Sequence, residues 1–320
     1  MIVRLGFVAM TLNLEDASPS KTVTVTSYNK IENNDGKRHR LEKLTKTNLQ
    51  NTLRILRFCA ANDIYVYRFT SKLVPLATYP SIEKWNYYDT FIEEFREIGD
   101  FVKENNIRVS AHPDHFTLIN SPDEKVFKDS LRDLEYHYNV LKAMGLEDKR
   151  YKLVLHVGGV YGSKELSAER FIKNFSKLPP YIQNRIILEN DDKSYNAAEV
   201  LKICKSLKIP MVFDVHHYQC NNAGESIKDI LPEIFDTWNN EYFQPKIHFS
   251  SPKSKKDFRS HADLIDLDDF LSFLDIAKNL GRDFDVMLEA KSKDNALFDL
   301  MEKLKGSGKV KIINNSTFEC

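Results

Sequence analysis

Short apolar, β-branched runs recur eight times along these 320 residues, each followed by a longer amphipathic stretch, and no other feature constrains the fold as tightly. The runs are VRLGFVA (3–9), IYVYRF (64–69), IRVSAH (107–112), KLVLHV (152–157), RIILEN (185–190), PMVFDV (210–215), PKIHFS (245–250) and DVMLEA (285–290). Helical patterning falls near 41–61, 88–105, 124–144, 167–177, 196–207, 225–239, 267–280 and 294–305. Continuous apolar character within the runs indicates strands buried on both faces, as in a parallel sheet covered by helices. Ser121-Pro122-Asp123-Glu124 is a helix start, and Gly145 and Gly281 mark helix ends. Eight βα units without a linker-like break predict one α/β domain over residues 1–320, a (β/α)8 TIM barrel with its site at the C-terminal ends of the strands. A doubly wound open sheet is the alternative, but no Gly-x-Gly-x-x-Gly follows any strand. Residues 10–40 are expected to form a long functional loop over the barrel mouth, and residues 306–320 a C-terminal tail.

Composition removes several function classes. Lys plus Arg number 46 and Asp plus Glu 46, which counts against a uniformly basic nucleic-acid coat but leaves room for a local basic groove. With 42% hydrophobic residues the chain can bury a large core. Cys59, Cys204, Cys220 and Cys320 form no Cys-x-x-Cys pair, so neither a disulfide framework nor a zinc ribbon is encoded, and a reducing cytoplasm is the expected setting. The apolar start of the chain is interrupted by Arg4 and too short to cross a bilayer, and no other window is long enough, so no membrane partner is expected.

The chemistry stands at the strand ends. His112, His156, Glu189, Asp214, His248 and Glu289 close or immediately follow strands three to eight, with His216, His217 and His261 just beyond. All nine histidines except His39 and His137 therefore fall at or past a strand end. Each alone could be a hydrogen-bonded core residue, a helix cap or half of an ion pair. Together they would bring imidazoles and carboxylates from six strands to one mouth, where the carboxylates repel unless cations hold them. Nitrogen and oxygen ligands without thiolate suit Mn2+ or Zn2+ rather than a soft metal, with Mg2+ a further option, and more than four ligands imply more than one ion. Such centres hydrolyse phosphodiesters, and a related arrangement serves metal-dependent sugar isomerases. An amidohydrolase is disfavoured, because the first strand lacks His-x-His.

Over nearly its whole length the chain resembles the UV damage endonucleases, relatives of endonuclease IV. The resemblance rests on Arg4-Leu5-Gly6-Phe7, Tyr67-Arg68-Phe69, His112-Pro113, Leu155-His156-Val157-Gly158-Gly159, Leu188-Glu189-Asn190-Asp191-Asp192, Asp214-Val215-His216-His217, Pro245-Lys246-Ile247-His248, Ser260-His261-Ala262 and Glu289-Ala290-Lys291. It implies a DNA-repair nuclease that uses metal-activated water to cut immediately 5′ of cyclobutane pyrimidine dimers and 6-4 photoproducts, leaving a 3′-hydroxyl and a 5′-phosphate. It further implies up to three divalent cations, usually manganese, and catalytic roles for Glu189, Lys246 and Glu289. His112, His156 and Glu189 would hold one ion; Glu189, Asp214, His248 and Glu289 a second; His217 and His261 a third, with His216 the alternative to His217. Lys246 corresponds to a lysine carboxylated in relatives; an ammonium paired with a ligand carboxylate is the competing state.

The family also places a polar residue and an aromatic after His-Pro to fill the stack when damaged nucleotides leave it. Here the pair is His115-Phe116, and His115 departs from the usual glutamine. Phe7 matches an aromatic position that faces the lesion, and Asn13, Arg68, Asn190 and Tyr195 are further candidates for DNA contacts. The implied partner is UV-damaged duplex DNA in the cytoplasm, at the nucleoid of a prokaryote, with no obligatory protein partner. An apurinic-site endonuclease of the endonuclease IV kind and a sugar isomerase are the rival functions. Lys253, Lys255, Lys256 and Arg259 after strand seven, and Lys21, Lys30, Lys37, Arg38 and Arg40 in the first loop, predict a basic rim within the balanced total.

Overall fold

The computed structural model describes residues 1–82 and 85–320. Eight parallel strands close on themselves: β1 (Ile2–Val8), β2 (Val66–Phe69), β3 (Arg108–Ala111), β4 (Lys152–His156), β5 (Ile186–Glu189), β6 (Met211–Asp214), β7 (Lys246–Phe249) and β8 (Phe284–Leu288), with β1 pairing both β2 and β8. This is the TIM barrel that the eightfold alternation predicts. The helices are α1 (Val25–Asn29), α2 (Asn34–Ala61), α3 (Tyr87–Thr90), α4 (Ile92–Glu104), α5 (Glu124–Ala143), α6 (Lys164–Phe175), α7 (Pro180–Gln183), α8 (Ala197–Leu207), α9 (Val215–Cys220), α10 (Ile227–Asp236), α11 (Leu267–Ala277) and α12 (Lys293–Ser307). None is long and apolar enough to cross a membrane among the described residues.

Local signals account for the boundaries. Asp123 caps α5 by accepting from Lys125 and Val126, Asn196 and Glu199 form a capping box on α8, and Gly145 and Gly281 take left-handed backbone where helical segments end. Gly6 has a packing reason: a Cβ there would lie 2.1 Å from the Val66 carbonyl oxygen, so only glycine lets β1 meet β2.

Two expectations are corrected at the ends of the chain. The segment 10–40 is not one open loop, because it contains α1 and because α2 starts at Asn34, seven residues before the apolar pattern at Leu41 begins. Asn33 accepts from the Gly36 amide, Arg38 pairs with Glu42 one turn on, and the polar residues form the exposed first turns of a helix anchored through Leu41 and Leu44. The segment 306–320 is not a loose tail. It holds β9 (Lys311–Ile312) and β10 (Thr317–Glu319), and β10 pairs antiparallel with Ile2–Arg4 of β1, with Phe318 fully buried.

Strand parity layers the barrel interior. Alternate residues share a face, so Val154 lies beneath His156, Ile187 beneath Glu189, Val212 beneath Asp214 and Lys246 beneath His248. Val154, Ile187 and Val212 pack on Trp238, whose indole N–H donates to the Met211 carbonyl at 2.7 Å. At the opposite end from the mouth, the buried carboxylate of Asp285 accepts from Arg4 (2.7 and 2.8 Å), Arg108 (2.6 Å) and Gln244 (2.8 Å), with Arg108 stacked over Trp238 and Phe243. The four bonds use the lone pairs of that buried charge, which compensates its removal from water.

Candidate metal centre at the barrel mouth

The ladder register brings the ligand types to one level. His156 pairs across to Glu189 between β4 and β5, and Asp214 pairs across to His248 between β6 and β7. Glu289 directly follows β8, its amide donating to the Phe249 carbonyl at 2.9 Å. His217 is placed by a cap: Asp214 is the N-cap of α9, and its carboxylate accepts from the His217 amide at 2.7 Å.

Glu189 is the hub. One carboxylate oxygen lies 2.8 Å from His248 Nδ1 and 3.6 Å from His217 Nδ1; the other lies 3.3 Å from His112 Nε2 and 3.8 Å from His156 Nε2. Among the described residues, three donor sets have all their ligand atoms within 4.8 Å of one another: His112, His156 and Glu189; Glu189, Asp214 and His217; Glu189, His248 and Glu289. Asp214, expected beside His248 and Glu289, groups with His217, while His261 belongs to none of the three sets.

Several details fit these residues to divalent cations. Asp214 Oδ2, His248 Nε2 and His156 Nδ1 are buried without a hydrogen-bond partner among the described residues. His112, His217 and His261 each place Nδ1 on a backbone carbonyl, of Pro113 (2.9 Å), Asn190 (2.9 Å) and Glu289 (2.7 Å), which fixes the ring and leaves Nε2 to coordinate. Electrostatics agree. Burial pushes the Asp214 carboxyl up to about 7, with Glu189 and Glu289 adding to the rise. Burial works against the protonated His217, yet Asp214, Glu189 and Glu289 raise it to about 9. Without metal the pocket therefore draws protons into the place a cation would take. His216 faces elsewhere, toward the Arg259 carbonyl (3.4 Å) and Cys220 Sγ (3.8 Å).

Lys246 is buried on the interior face, its ammonium nitrogen donating to Ser110 Oγ at 2.9 Å. Among the described residues no carboxylate lies within 4.0 Å of it, so the competing ammonium–carboxylate pair does not form. Burial, then Arg108 and Arg68, hold its pKa well below the usual lysine value, which favours a neutral amine.

Three expected DNA contacts are corrected. Phe7 is fully buried on the face of β1 opposite to Arg4 and Gly6, its ring edge-on to Tyr67 at 5.7 Å, and it does not reach the mouth. The buried Asn190 spends its amide on β6, donating to the Asp214 carbonyl and accepting from the Asp214 amide at 2.9 Å each. Tyr195 is 1% exposed, with its hydroxyl toward the carbonyls of Gly159 and Lys164. Arg68 is largely buried and bonds Glu289, and Asn13 is exposed with its amide held by Asp294 and Asn295. His115 and Phe116 differ from these. They stand side by side in the β3–α5 loop, with the His115 side chain 91% and Phe116 48% exposed. The clamp made by Asn190 was not visible in the sequence, where an asparagine after a strand signals a turn as readily as a contact.

A family model described as UV-endonuclease UvdE matches residues 3–319. A protein of Bacillus thuringiensis subsp. konkukian named UV DNA damage endonuclease is 44% identical over 319 residues, covering 100% of both chains. Among solved structures, SacUVDE superposes with a TM-score of 0.84 at 32% identity, covering 96% of this chain and 99% of that one. Endonuclease IV from Thermus thermophilus shares the fold, with a TM-score of 0.54 at 14% identity over 95% of this chain and 99% of its own. With a full-length family match and relatives above two-fifths identity, the chain belongs to the UV-endonuclease UvdE family.

Proposed function

We propose that this DNA-repair endonuclease cuts the phosphodiester immediately 5′ of a UV photoproduct, leaving a 3′-hydroxyl and a 5′-phosphate, with up to three divalent cations of which Mn2+ is the expected occupant. The observation that carries the proposal is the convergence of four imidazoles on the two oxygens of Glu189, with Asp214 and Glu289 alongside. Cations bound there supply Lewis acidity for water activation and neutralise charge on the phosphate and the departing 3′ oxygen.

The residues of the chain do the rest. Glu189 bridges donor sets, and His112, His217 and His261 keep Nε2 oriented through their backbone anchors. Asn190 locks the end of β5 to that of β6, so Glu189 and Asp214 keep their spacing. Lys246, neutral and beside Ser110, is suited to carboxylation, which would give it an oxygen ligand. Phe116 offers a wedge to fill the stack while the dimer is extruded, with His115 beside it meeting the orphaned bases. Photoproducts weaken stacking, so extrusion costs less there than at intact steps, and recognition is largely indirect. A DNA substrate fits the expected setting, the cytoplasm and, in a prokaryote, its nucleoid.

End-labelled duplex carrying one cyclobutane dimer tests this. The expected product is a single nick directly 5′ of the dimer with ligatable ends. Cleavage of an abasic duplex with no cleavage of the dimer duplex would select the apurinic-site alternative.

A further inference from the structure

Four residues past Glu289 the chain enters α12 at Lys293, whose backbone is left-handed (φ 50°) although the residue carries a side chain. Such backbone is unfavourable for residues other than glycine, asparagine and aspartate, and it gathers at functional sites. The Lys293 side chain is half-buried, and its ammonium makes no ion pair within 4.0 Å with any described residue. Burial, then Arg68, lower its pKa, and Glu289 opposes them, which places the ammonium in the field of the metal-centre edge. The two cations there differ: Arg68 is occupied by Glu289, and Lys293 is uncommitted.

The position is also well founded. The next residue, Asp294, is fully buried and holds the loop after β1, accepting from Thr11, from the Leu12 amide at 2.8 Å and from Asn13 at 2.8 Å. The start of α12 is thus tied to the β1 loop, and a partly desolvated cation on strained backbone is held at the mouth without a carboxylate. Solvation alone needs neither the strain nor the burial. We infer that Lys293 binds a backbone phosphate of the DNA strand lying across the mouth, beside the scissile bond. The inference rests on the endonuclease function proposed above.

Fluorescence anisotropy of a labelled duplex, irradiated or intact, read across about 50 to 200 mM salt, tests it with K293N and K293R. Asparagine accepts the left-handed backbone and removes only the charge, so K293N is expected to melt no lower than wild type and to retain its metal. It should weaken binding to both duplexes about tenfold and lower the salt slope by about 1, as loss of one phosphate contact does. K293R should recover most of the affinity. Unchanged affinity and slope in K293N would overturn the inference. If wild type showed no preference for irradiated duplex while K293N still lost affinity, the phosphate role would stand and the photoproduct function would fail. No DNA binding by wild type would end both.

Discussion

At the scale of single residues, Glu189 has the sharpest consequence. Its two oxygens meet imidazoles from β4, from β7 and from the segments after β3 and β6, so Glu189→Gln removes the shared charge of three donor sets at once. The variant should fold, lose bound metal in elemental analysis and lose nicking by several orders of magnitude; retained activity would refute the bridging role. Asn190→Ala leaves the Asp214 backbone amide unpaired in a buried place and removes one bond to the Asp214 carbonyl, at a cost of roughly 1–3 kcal/mol in stability. It should also weaken metal retention, measured by chelator competition. Although Asp214 was expected in another set and His261 joins none, most of the candidate metal-holding residues were legible in the sequence because strand parity and strand ends place them. Phe7, Asn190 and Tyr195 were not, since the same residue types serve equally in packing, in clamps and in contact, and only burial distinguishes these.

At the scale of elements, the β3–α5 loop is held like a tool in a socket. Thr117 donates to the buried Asp133 at 2.6 Å, and the Leu118 amide donates to Ser130 at 2.8 Å, so α5 fixes the base of the segment whose tip carries Phe116. Phe116→Ala should weaken binding of irradiated duplex several-fold and leave metal content intact; equal affinity for irradiated duplex would remove the wedge. His137, one turn past Asp133 on α5, is buried with Nε2 3.8 Å from Asp133 Oδ2 and without a hydrogen bond, and burial outweighs Asp133 and lowers its pKa below the usual histidine value. The unfolded chain then binds more protons than the native one below about pH 6.5, so this contribution is complete above that pH and is lost as pH falls toward the depressed native value. His137→Gln should flatten the stability loss between neutral and mildly acidic pH in denaturant titrations. Gly6→Ala, which forces a Cβ onto the Val66 carbonyl, should cost about 3 kcal/mol or more, read as a lower denaturation midpoint. Strand and helix order was legible from hydrophobic period. The first turns of α2 and the pairing of β10 were not, because one is a polar helix face without period and the other a three-residue strand whose partner lies at the far end of the chain.

At the scale of the whole molecule, balanced charge conceals segregation. Lys255 and Lys256 are exposed on the loop after β7, where Lys253 pairs with Asp257 and Arg259 crosses to Asp192 on the loop after β5. The mouth beneath holds Glu189, Asp214 and Glu289. Duplex affinity should therefore fall steeply with salt despite a net charge of zero. The central claim, a cation-dependent nuclease selective for UV lesions, is tested most directly by nicking of supercoiled plasmid with Mn2+, irradiated against untreated, using protein of verified metal content. The structure predicts conversion of irradiated plasmid to open circles, abolished by chelation and restored by Mn2+. Equal inactivity on both plasmids, or equal nicking of both, would contradict it.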